Sequence, residues 1–106
     1  MSNGKGGGDD SRPYVQLIGH VGLINGFSYS GFTGCVADIN LKGAPSRMIW
    51  VLTTDHHLQT LLETALATGN LVSATGQARS LPAEGPLAGM SGELFDLTGL
   101  TLYNSK

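Results

Sequence analysis

One stretch of this chain carries a helical period, and the apolar residues elsewhere are spaced as in strands. Leu58, Leu61, Leu62, Ala65 and Leu66 follow i, i+3, i+4, i+7, i+8, which puts them on one face of a helix. Asp55, or Thr54 before it, is placed to cap the N-terminus. Gly69 follows Thr68 where a C-cap glycine belongs. The pattern predicts a helix over residues 56–67. Where this single helix falls in the order of strands decides the architecture.

The first strand is expected over residues 14–24. Val15, Leu17, Val21 and Leu23 share one face around Gly19, and Ile18 and Ile24 share the other with Gln16 and His20. Gly19 and Gly22 sit where a long barrel strand coils. Residues 25–31, NGFSYSG, open on Asn-Gly, a strong turn signal. The second strand is expected from Phe32 to Leu41, with Cys35, Ala37, Ile39 and Leu41 alternating with Gly34, Val36, Asp38 and Asn40. Residues 42–46, KGAPS, read as a loop. The third strand is expected over residues 47–54, RMIWVLTT, rich in apolar, β-branched and aromatic residues. The fourth is expected over residues 70–79. A Pro/Gly/Ala-rich loop from Ser80 to Gly92, holding Pro82 and Pro86, separates it from a last strand over residues 93–104.

Three strands, one helix and two strands make the order of an OB barrel. The fold class expected is therefore all-β with one helix, a five-stranded OB-type Greek-key barrel ordered β1-β2-β3-α-β4-β5. The segment MIWVLTTDHHLQTLLETALATGNLVSATGQ resembles the strand–helix–strand part of bacterial single-stranded-DNA-binding OB proteins. There an aromatic strand leads to an amphipathic helix, a Gly turn and a strand that closes on glycine. The matching elements are Trp50, the Leu58–Leu66 helix, Gly69, Leu71 with Val72, and Gly76. The final LTGLTLYN is similar to the end of that barrel. In layout the resemblance covers about residues 14–104, and it implies binding of single-stranded nucleic acid.

Composition narrows the class further. At 106 residues the chain fits one domain able to bury a modest core. Charged residues are 13%, about half the usual share, so a charge-rich disordered chain is excluded. Sixteen glycines suit a fold with many turns and bends. Residues 1–12, MSNGKGGGDDSR, read as a flexible tail ahead of a barrel domain over residues 13–106. With one cysteine, Cys35, no disulfide forms within the chain, and there is no apolar leader or membrane-length segment. A soluble, cytoplasmic protein is expected.

No catalytic constellation emerges, and an enzyme is not expected. GKGGGDDS in the tail lacks the strand, helix and Lys-Ser/Thr pair of a phosphate-binding loop. His56 and His57 are adjacent on the helix and diverge by about 100°, and His20 has no companion, so no metal site is expected. Cys35 reads as a core thiol beside Ala37 and Ile39. Glu93 and Asp96 are three apart on a strand and point to opposite faces, which is unsuited to paired acid–base work. No cofactor is implied.

The aromatic residues carry the functional expectation. Phe27, Tyr29 and Phe32 cluster around the loop joining strands one and two. That loop and the faces of strands two and three line the OB ligand groove. Exposed rings there stack bases or meet a protein; alternatively Phe27 and Phe32 cap the barrel. Trp50 either joins them in the groove or sits in the core. Lys42, Arg47 and Arg79 are placed to meet phosphates. The expected nucleic-acid-binding set is thus Phe27, Tyr29, Phe32, Lys42, Arg47, Trp50 and Arg79. The charge balance opposes it: net charge is −2, and only six residues are basic, two of them in the tail. The alternative is a protein-interaction or assembly module, and a homo-oligomer is expected in either case.

Overall fold

The computed structural model describes residues 13–29, 32–81, 85 and 87–104, without the side chains of Tyr29 and Phe32. The tail expected over residues 1–12 lies outside the described residues, as do Pro82 and Pro86. The elements in chain order are β1 (Tyr14–Tyr29), β2 (Phe32–Leu41), β3 (Ile49–Thr53), α1 (His56–Thr68), β4 (Val72–Arg79) and β5 (Glu93–Leu102). The strands close into a barrel in the order β1-β2-β3-β5-β4 and back to β1. β3 and β5 run parallel, and every other neighbouring pair is antiparallel. The single helix connects β3 to β4, as the OB order requires.

Closure depends on β1 serving two neighbours. Its first part, Tyr14–Gly19, pairs with β4, and the stretch from Gly19 to Tyr29 pairs with β2. Gly19 belongs to both ladders, facing Leu41 on one side and Val72 on the other. A Cβ at this position would overlap the carbonyl oxygen of Asn40, so the crossing requires glycine. Three residues on, the pairing register slips between Val21 and Leu23, leaving Gly22 as a bulge.

That bulge corrects the expected faces of the first strand. Leu17 and Val21 point into the barrel, but the extra residue flips the phase. Ile24 therefore turns inward against the core, while Leu23 is 43% exposed. The Asn25-Gly26 turn is also corrected. Asn25 pairs with Val36 and Gly26 with Cys35, so β1 runs through both to Tyr29. β2 offers a partner along this whole length, and the ladder overrides the local turn preference. β3 starts at Ile49, leaving Arg47 and Met48 outside the strand, and β5 stops at Leu102.

The barrel interior holds Leu17, Cys35, Ala37, Ile39, Ile49, Val51, Val72, Ala74, Phe95 and Leu97 among its buried residues. On β2 the inward set is the alternating one read from the sequence. The helix closes the barrel against β1 and β5. Leu62 and Ala65 are fully buried there, whereas Leu66, expected on the apolar face, is 41% exposed. Asp55 caps the helix, its carboxylate accepting the Leu58 N–H at 2.9 Å. Gly69 ends it in the left-handed conformation, φ 73°. Among the described residues, no helix is long and apolar enough to cross a membrane.

Candidate functional site

Register across the barrel wall fixes what the outer face presents. Leu23, Asp38, Trp50, Leu94 and Arg79 form one cross-strand row through β1, β2, β3, β5 and β4. Asn25, Val36, Leu52, Asp96 and Gln77 form the next. Side chains alternate across a sheet, so these rows stand outside while Ala37, Val51 and Phe95 stand inside.

This outer face is partly apolar and partly covered. Val36, Leu52 and Leu94 are buried although they point away from the barrel interior. Described residues between β4 and β5 cover them. Leu87, 6% exposed, completes their cluster, and Leu81, Met90, Phe27 and Trp50 pack around it. The described part of this loop is held by polar contacts as well. The Trp50 indole Nε1–H donates to the Ser91 carbonyl at 3.0 Å, and the Glu93 N–H donates to the Met48 carbonyl at 2.8 Å. The sequence presents residues 80–92 as Pro/Gly punctuation. The signal for a docked segment is the apolar set Leu81, Leu87 and Met90 within it, residues that a solvated loop does not need.

Each expected site residue now has a place. Phe27 is half-buried in the outer cluster. Trp50 is on the outer face, beneath the loop and outside the barrel core. Tyr29 and Phe32 pair through their backbones, and their side chains lie outside the described residues. Lys42 is exposed on the turn after β2, at the opposite end of that strand from Phe32. Arg47 is bound by Glu93 through two bonds, Nε to Oε2 at 2.9 Å and Nη2 to Oε1 at 2.6 Å. Arg79 Nη1 meets Asp96 Oδ1 at 2.8 Å. The structure thus brings Phe27 and Trp50 together in one cluster, with Arg79 two strands from Trp50 in the same row and Arg47 ahead of β3, each already holding a carboxylate on β5. It does not bring Lys42 to them.

The electrostatics follow from these contacts. The hydrogen bonds from Arg47 hold the Glu93 carboxyl below its ordinary range, and the same pair raises the Arg47 guanidinium. Burial pushes the Asp38 carboxyl up. Beside the covered cluster, where β3 departs from β5 toward the helix, a cleft of about 410 Å³ stays open. Leu52, Leu58 and Leu97 give it apolar walls, and Thr54, Thr98 and the Arg79–Asp96 pair give it polar ones. Cys35 is fully buried in the core, and burial, with a smaller contribution from Glu63, raises its thiol. His56 and His57 are exposed in the first helical turn. Among the described residues, no three His, Cys, Asp or Glu side chains gather as metal ligands do.

No protein-family model, no curated protein and no solved structure matches the chain.

Proposed function

We propose that this chain is a non-enzymatic OB-fold binding module for single-stranded nucleic acid, engaged on the outer face of β2, β3 and β5. One observation carries the reading: an indole, Trp50, stands on that face, Arg79 lies two strands away in the same cross-strand row, Arg47 pairs with Glu93 at the start of the neighbouring β5, and an open, apolar-walled cleft lies next to Leu52 of the same cluster. Single strands are held by rings that stack bases and cations that meet phosphates. Both arginine pairs are about half exposed, so a phosphate can replace either carboxylate at little cost in stability. The layout also resembles that of bacterial single-stranded-DNA-binding proteins through Trp50, the capped helix, Gly69 and Gly76. A homo-oligomer would set several such faces together and offset the low count of basic residues. The test is fluorescence polarisation with labelled oligo-dT at low and high salt. Binding that weakens with salt supports the reading; no binding at tens of micromolar and low salt overturns it.

A second reading, a protein-interaction or assembly module, is favoured by the net charge of −2 and by exposed apolar residues such as Tyr14, Ile18 and Leu23 on β1. Light scattering tests it: a strict monomer that binds no oligonucleotide and no partner counts against both readings.

A further inference from the structure

We propose that the cleft at the end of the β3–β5 ladder is a base subsite selective for guanine; this rests on the nucleic-acid reading above and gives Arg79 a finer role within it. The cleft is a product of the fold. The parallel β3–β5 ladder ends at Leu52 and Asp96. β3 stops one residue later at Thr53, and the chain turns into the helix capped by Asp55, while β5 runs on along β4. On β5, Thr98 is the extra residue of a bulge, since Leu97 faces Gly76 and Gly99 faces Thr75. Its hydroxyl donates to the Thr75 carbonyl at 2.9 Å. The strands part here, and about 410 Å³ opens between them. Small-ligand sites span roughly 300–1,000 Å³.

The walls of the cleft select the ligand. Leu52, Leu58 and Leu97 offer apolar surface to the flat faces of a ring. Arg79 lines the cleft with Asp55 and Asp96, one cation against two carboxylates. That balance disfavours a phosphate and favours an edge rich in N–H donors. Asp55 gives Oδ1 to the helix cap, accepting the Leu58 N–H. Asp96 lies beside Gln77 across the β4–β5 ladder, two residues from Arg79. It takes one bond from Arg79, Nη1 to Oδ1 at 2.8 Å, and the two side chains are 40% and 45% exposed. A guanidinium carries five donors and a carboxylate about four acceptor positions, so the pair can each take a further partner. Guanine matches both. Its N1–H and N2 amino group are adjacent donors for the Asp96 carboxylate, and its O6 and N7 are acceptors for the guanidinium. Adenine sets an amino group where guanine has O6, and cytosine and thymine lack the adjacent pair of donors. Backbone phosphates then fall to Arg47, which lies outside the cleft.

The test is polarisation of labelled oligo-dT and of the same oligomer carrying one central dG, dA, dC or dI, the last lacking the N2 amino group. The full chain is expected to bind the dG oligomer about five- to tenfold more tightly than the dA and dC oligomers, with dI between. Asp96→Asn is expected to abolish this preference without lowering affinity for oligo-dT. Arg79→Gln, also at the surface, is expected to lose the preference as well, and circular dichroism melts establish that both variants are folded. Equal affinity for all the oligomers, with oligo-dT bound, overturns the subsite and leaves the nucleic-acid reading standing. A dG preference that survives in both variants also overturns the subsite. No binding to any oligomer overturns both. A labelled lysine-rich peptide, run in parallel, covers the other class of partner. Binding of that peptide that is lost in Asp96→Asn, with no preference among bases, would assign the cleft to a protein and overturn the subsite.

Discussion

The indole N–H of Trp50 on β3 donates to the carbonyl of Ser91 at 3.0 Å, across a gap of 41 residues. This bond joins the outer face of the barrel to the loop that covers it. Replacing Trp50 with Phe keeps a ring and deletes the donor. We expect a loss of about 0.5–1.5 kcal/mol in denaturant unfolding, with oligonucleotide binding retained. Trp50→Ala removes the ring as well, and oligonucleotide affinity should fall by about 1–3 kcal/mol.

Gly19 is the point where β1 passes from β4 to β2. Gly19→Ala should destabilise the fold by about 1–3 kcal/mol, because the new methyl group meets the Asn40 backbone rather than a flexible side chain. Urea denaturation measures this. At Gly43 nothing lies within 4 Å of an added Cβ, although its φ of 87° means that alanine there carries backbone strain of its own.

Cys35 is fully buried, with its thiol raised by burial. A thiol reagent at pH 8 should therefore label it only as fast as the barrel opens. Labelling in native buffer should be slower by orders of magnitude than in denaturant. Rapid native labelling would show that the β2 core position is accessible.

Two carboxylates give opposite responses to pH. Glu93 is held below its ordinary value by Arg47, so its contribution is present above the unfolded value and is lost as pH falls through the depressed one. Asp38 is raised by burial, so its charge opposes folding at neutral pH, and this cost disappears as pH falls through the raised value. Asp38→Asn should therefore raise the melting temperature at pH 7 and lose that advantage in acid. Glu93→Gln should lower the melting temperature at pH 7 and narrow its gap to the parent chain in acid. Thermal melts across this range check both signs.

Much of the barrel is legible in the sequence because its determinants are local. The helix is written in the spacing of Leu58, Leu62 and Ala65 and in its two caps, and β2 in the alternation from Cys35 to Leu41. The features that resist reading depend on partners distant in sequence. The Gly22 bulge, which exchanges the roles of Leu23 and Ile24, lies in the β1–β2 ladder just past the point where β1 leaves β4. Asn25-Gly26 is a turn signal until the ladder with Val36 and Cys35 is in place. At the candidate site, Trp50, Arg47 and Arg79 can be chosen by residue type. Their partners Ser91, Glu93 and Asp96 become visible only when the parallel β3–β5 pairing brings the strands together.

The most direct test of the proposed site uses Trp50, the single tryptophan of the chain. Its emission is followed as oligo-dT is added at low salt, in parallel with polarisation of the labelled oligonucleotide. The account predicts saturable quenching of Trp50 at the same concentrations at which polarisation rises. Binding that leaves Trp50 unchanged would place the ligand elsewhere on the barrel, and an oligonucleotide that does not bind at all would contradict the proposed function.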